Sequence, residues 1–117
     1  NMIPTVIDDD VEAARAVNRR TLTGYVSLPN YRNYWRAAGY VEEMDAIEAA
    51  NEAGNKDALP SLMSDKWLDD NTISGSASHV RARFEEWAHA GVTPIAVMSS
   101  TTGGQVKAIN QLFDVYN

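Results

Sequence analysis

The chain has 117 residues, enough for one ordinary domain and too few for two independent cores. Hydrophobic residues make up 44% and charged residues 22%, which disfavours disorder, and the lack of cysteine excludes disulfides, thiolate metal sites and a catalytic thiol. Ten Lys and Arg against sixteen Asp and Glu give a net charge of −6, so a nucleic-acid backbone would be repelled. Ile3 to Ile7 is a short apolar segment, and Asp8, Asp9 and Asp10 follow where a helix would start. That pattern predicts a strand feeding a capped helix. From Val11 the positions Ala14, Val17, Thr21, Tyr25 and Leu28 recur at spacings of three and four, predicting an amphipathic helix that ends before Pro29.

Asn30 to Ala38 predicts a short aromatic helix with Tyr31, Tyr34 and Trp35 on one side and Gly39 as its stop. Val41 to Ala53 predicts another, with Met44 and Ile47 inward and Gly54 ending it. Pro60 suits the first turn of a helix carrying Leu62, Met63, Trp67 and Leu68 to about Asp70. Thr72 to Ser74 reads as a brief strand, and Val80, Phe84 and Trp87 as a helix stopped by Gly91. Thr93 to Met98 is β-branched and apolar enough for a fully buried strand, which makes a parallel βαβ unit with a right-handed crossover. After 99–104, the positions Val106, Ile109, Leu112, Phe113 and Tyr116 predict the inward stripe of a closing helix. The arginines and their neighbouring acids read mostly as solvated helix faces. No apolar run approaches the roughly 20 residues of a membrane helix. The N-terminus lacks a secretory pattern, so no membrane partner and a cytoplasmic location are expected. Asn1 is set aside as a residue preceding the initiator Met2.

Three stretches together resemble the luciferase-like monooxygenases, and within them the actinobacterial type that uses the deazaflavin coenzyme F420. They are Thr5-Val6-Ile7-Asp8-Asp9-Asp10 with Ala13-Ala14-Arg15, then Tyr25 to Trp35 running on to Gly39-Tyr40. The third is Ile73-Ser74-Gly75-Ser76 with Val80 to Phe84, Gly91-Val92 and Pro94-Ile95. The resemblance implies an α/β fold, here a partial TIM barrel of about three parallel strands with helices, since a whole barrel typically needs about 250 residues. It implies that residues 1–117 are one domain, the C-terminal portion of such a barrel. It also implies an oxidoreductase passing a hydride between F420, or alternatively FMN, and a small organic substrate. A partial barrel leaves strand edges unpaired, so a homo-oligomer, for instance an element-exchanged dimer, is expected. The rival expectation is a non-catalytic oligomerisation or binding module on the same scaffold.

Ligands of such folds sit at the carboxyl ends of strands, here Ile7 to Asp10, Gly75 to Ser78, and 99–104. The last is the best candidate for cofactor binding. Ser99, Ser100, Thr101 and Thr102 bring hydroxyls, Gly103 and Gly104 permissive backbone, and the following helix start free N–H groups that suit a phosphate. No Gly-x-x-x-x-Gly-Lys run or nucleophile elbow occurs, and His79 and His89 lie on different faces of one helix. No metal pair and no catalytic residue can be assigned. Tyr31, Tyr34 and Trp35 read as core or interface, with stacking of a planar ring as the alternative. Asp8, Asp9 and Asp10, like Asp69 and Asp70, read as cap and helix-dipole charge.

Overall fold

A computed structural model describes residues 2–98 and 102–115. Strand β1 (Met2–Ile7) leads into α1 (Val11–Val26), and four helices follow: α2 (Pro29–Ala37), α3 (Val41–Glu52), α4 (Leu59–Leu62) and α5 (Asp65–Asn71). Then come β2 (Ile73–Gly75), α6 (Ala77–His89), β3 (Ile95–Val97) and α7 (Gln105–Val115). The expected α/β fold with three parallel strands in an open sheet is what the chain adopts.

The sheet order is β2-β1-β3, with β1 in the middle. The second half of β1 pairs with β2, from Thr5 with Ile73 to Ile7 with Gly75. Its first half pairs with β3, from Met2 with Ile95 to Pro4 with Val97. This stagger tolerates a proline in a central strand, because Pro4 has a paired neighbour on one side only. It also means that β2 and β3 flank β1 and do not touch, so their βαβ unit spans an intervening strand.

Side-chain alternation assigns the faces. Ile3, Ile7 and Ile73 lie on one face and pack with Val80, Phe84 and Val115 of α6 and α7. Val6 lies on the other and packs with Ala14 and Val17 of α1. On that face the Asn18 amide donates to Ser74 Oγ (2.8 Å) and to the carbonyl of Ile73 (3.1 Å), fastening α1 to β2. Both faces therefore carry helices, but the start of β1 and the whole of β3 are half covered: Ile95 is 53% exposed. The expected fully buried strand at Thr93 to Met98 is instead a three-residue edge strand, because α1 shields only the β2 side.

A second core lies away from the sheet. Leu22, Val26, Trp35, Met44, Ile47, Leu59, Met63, Trp67 and Leu68 pack together, with Trp35 edge-on to Trp67 at 5.0 Å between centroids. The buried stripe of α1 runs Ala14, Val17, Asn18, Leu22, Val26, so Tyr25 and Leu28, expected inside, are exposed. The helix begun at Pro60 breaks at Met63, where Ser64 caps a new one by accepting from the N–H of Trp67 (3.1 Å). Such a cap stabilises by about 1 kcal/mol.

The arginines are bridges more than solvated faces. Arg15 donates twice to Asp69 (3.2 and 2.7 Å), Arg19 pairs with Asp65, and Arg36 joins α2 to α3 through Asp45 and Glu48. Arg32 is buried and donates to the carbonyl of Val26 (2.9 Å), tying α2 to the end of α1. Asp69 and Asp70 sit in the last turn of α5, where a helix dipole disfavours them, and cross-helix pairing holds them there. Asp70 accepts from Lys66 (2.7 Å) and from the Tyr40 hydroxyl (2.5 Å). The Lys66 ammonium, followed by the tyrosine hydroxyl, keeps the Asp70 carboxyl below its ordinary range. Burial and Asp70 together push the Tyr40 phenol up to about 12.

Candidate functional site

The strand order creates the site. From β1 the chain crosses one face through α1 and returns as β2; from β2 it crosses the other face through α6 and returns as β3, on the far side of β1. The loops leaving β1 and β3 therefore diverge, and a crevice opens at the carboxyl ends of these strands, the position where open α/β sheets bind ligands. It has a volume of about 300 Å³, with Asp8, Asp9, Lys107, Gln111 and Asp114 in its walls.

Each wall has a local cause. Asp10 caps α1 by accepting from the N–H of Ala13 (3.2 Å), and Asp8 accepts from the N–H of Asp10 (2.8 Å) in a tight turn. Across the crevice Gly103 has φ +76°, and a Cβ there would stand 2.7 Å from Lys107 Cδ. Only glycine lets the Lys107 side chain lie back along the loop. The N–H of Asp10, then the Thr102 hydroxyl, with Lys107 adding its field, hold the Asp8 carboxyl below its usual range. The Gln111 Oε1 is buried and has no hydrogen-bond partner among the described residues. In sum the crevice offers one ammonium, one orphaned acceptor and three carboxylates.

Of the predicted cofactor residues, Thr102 neighbours Asp8 and Gly103 neighbours Lys107, but neither they nor Gly104 line the crevice, while Ser99, Ser100 and Thr101 fall outside the described residues. The acids Asp8 and Asp9, read from sequence as helix-start charge, face the same space, and Asp8 is bound into the loop opposite. Lys107 and Gln111 were missed by sequence reading. Their spacing of i, i+4 behind two glycines was the available signal. Gly75 to Ser78 is the expected cap: Ser76 Oγ accepts from the N–H of His79 (3.3 Å). A Cβ on Gly75, at φ +150°, would meet the His79 ring at 2.9 Å. His79 and His89 are both exposed, and no cluster of three metal-ligating side chains exists among the described residues.

A larger cleft, about 600 Å³, opens over the half-covered part of the sheet. Met2, Pro4 and Val97 form its floor, and Tyr25, Tyr31 and Tyr34 its walls. Trp35 closes the inner end, its indole N–H donating to Asn71 Oδ1 (3.1 Å). Thus Trp35 belongs to the core, whereas Tyr31 and Tyr34 stand at an open apolar surface.

The fold defines a class: a parallel α/β domain with a polar crevice at the carboxyl ends of its strands. The family model of the luciferase-like monooxygenases matches residues 2–94, and the chain belongs to that family. No curated protein and no solved structure matches it. Among the described residues no helix is long and apolar enough to cross a membrane.

Proposed function

We propose that the chain is part of an oxidoreductase that binds F420, or alternatively FMN, and acts on a small organic substrate. The family match over residues 2–94 carries this reading, and the crevice beside Lys107 supports it. The coenzyme, when bound, supplies the hydride chemistry. The residues present fit its phosphorylated, hydroxylated tail better than its ring. Lys107 suits a phosphate and the orphaned Gln111 oxygen suits a hydroxyl donor, while Asp8, Asp9 and Asp114 oppose an anion in the same crevice.

Asp8 competes for the same partners, which gives the proposal a signed test. Fluorescence titration with F420, with FMN as competitor, should give saturable binding. Replacing Lys107 with Ala should weaken it about tenfold, and Asp8→Asn should tighten it by a few fold. Absence of binding, or indifference to both substitutions, would reject this site. One observation favours a non-catalytic binding or oligomerisation module instead: Asp8 already engages the loop that a phosphate would need.

A further inference from the structure

The aromatic cluster singled out in the sequence lines a cleft that the crevice chemistry leaves unused. Its volume of about 600 Å³ falls within the roughly 300–1,000 Å³ of small-molecule sites, and its lining is mostly apolar with a few polar groups, as such sites require. Among the described residues no charged side chain lines it, in a chain with ten cations and sixteen anions. The strand residues Met2, Pro4 and Val97 make a hydrocarbon floor, and the tyrosines stand over it.

The walls are set before anything binds. Arg32, on the same helix as Tyr31 and Tyr34, is buried and donates to the carbonyl of Val26, which fixes α2 against the end of α1. Across that junction Tyr25 and Tyr31 meet edge-on at 5.2 Å between centroids, and Tyr31 and Tyr34 lean on Trp35 at 5.9 and 6.1 Å. Trp35 is held in turn by Asn71, whose own amide donates to the carbonyl of Trp67 (2.7 Å). Little ordering is left for a ligand to impose, and that lowers the cost of binding.

Three features define the occupant. Aromatic walls over an apolar floor favour a flat ring, because ring–ring contact adds to what area burial supplies. An anion would approach against a net charge of −6, and a cation would find no carboxylate in the lining. The Tyr25, Tyr31 and Tyr34 hydroxyls and the Asn30 side chain have no hydrogen-bond partner among the described residues, so a polar substituent on a ring edge can be met. We propose that the cleft binds a neutral, planar aromatic molecule bearing a hydroxyl or carbonyl group. The cleft and the Lys107 crevice share no lining residue, so this occupancy does not depend on a coenzyme.

Calorimetric titration at neutral pH with naphthol as the probe should show saturable one-to-one binding. Three probes of the same skeleton should bind about tenfold more weakly or worse: naphthoate, naphthylmethylammonium and the puckered decahydronaphthol. Tyr34→Ala should weaken naphthol binding about fivefold. Since Tyr34 is 67% exposed, the circular dichroism of that variant should match the parent. Phe113→Ala, which trims an exposed apolar residue of α7, should leave binding unchanged. Absence of saturable binding, equal affinity for the charged or puckered probes, indifference to Tyr34→Ala, or an equal loss with Phe113→Ala would overturn the proposal. So would heat of dilution that Tyr34→Ala abolishes and naphthol does not alter, which would assign the cleft to another copy of the chain.

Discussion

The two flanks of β1 are built differently. On the β2 side every strand residue is buried, Asn18 clamps the sheet to α1, and α5 runs directly into the strand through Thr72, whose hydroxyl donates to the carbonyl of Leu68 (2.7 Å). On the β3 side a three-residue strand is exposed or half-buried throughout, and the helix after it turns an apolar ridge outward. The same hydrogen-bond geometry pairs both strands to β1. What separates them is side-chain cover: the helices between β1 and β2 supply it on one flank, and on the other a single helical crossing leaves one face bare.

This contrast can be broken most sharply in the helical core. Trp67→Ala should cost about 3–5 kcal/mol, read as a lower urea midpoint, because Trp67 is fully buried against Trp35. Asn18→Ala should cost about 1–3 kcal/mol by the same measurement, since it leaves the Ile73 carbonyl and Ser74 hydroxyl without that donor.

The Tyr40–Asp70 contact makes the β2 side sensitive to pH at both ends. Asp70, held below its ordinary value, contributes stability that is complete above the normal carboxylate range and lost as pH falls through its depressed pKa. Tyr40, raised to about 12, contributes stability that is complete below an ordinary tyrosine pKa of about 10 and lost as pH climbs through that interval. Tyr40→Phe should remove the alkaline loss and shrink the acid one, measured as urea midpoints across a pH series. At the small end, Ile95→Thr in dilute solution should change stability by less than about 0.5 kcal/mol. A cost near that of Asn18→Ala would mean that the β3 flank is better covered than its exposure indicates.

Local signals made much of the architecture readable. Asp10 and Ser76 cap the helices they precede, Met44 and Ile47 are buried as their spacing requires, and the three strands fall in the expected segments. Periodicity failed where a helix has two apolar sides. In α1 the polar Asn18 is buried because it meets β2, while Tyr25 is exposed; in α7 Leu112 packs inward as expected but Val106, Ile109 and Phe113 point out, and Tyr116 lies outside the described residues. Strand order depends on which faces the crossing helices cover, and no short-range pattern encodes that. For the candidate site, Gly103 and Gly104 were visible as permissive backbone, but the meeting of Asp8 with that loop joins residues almost a whole chain apart.

The central position of β1 also governs when this protein is able to fold during synthesis. As the ribosome releases the chain, β1 emerges before both of the strands it pairs with here, and those pairings wait until Ile73 to Gly75, and then Ile95 to Val97, have followed. Meanwhile α2 to α5 can assemble with the end of α1 around Trp35 and Trp67, since those contacts need no sheet. Slow closure of such distant pairings is the usual consequence of long sequence separation. A nascent chain stalled before β3 would therefore hold a finished helical half and a strand, Met2 to Ile7, open along one edge to any other strand that reaches it.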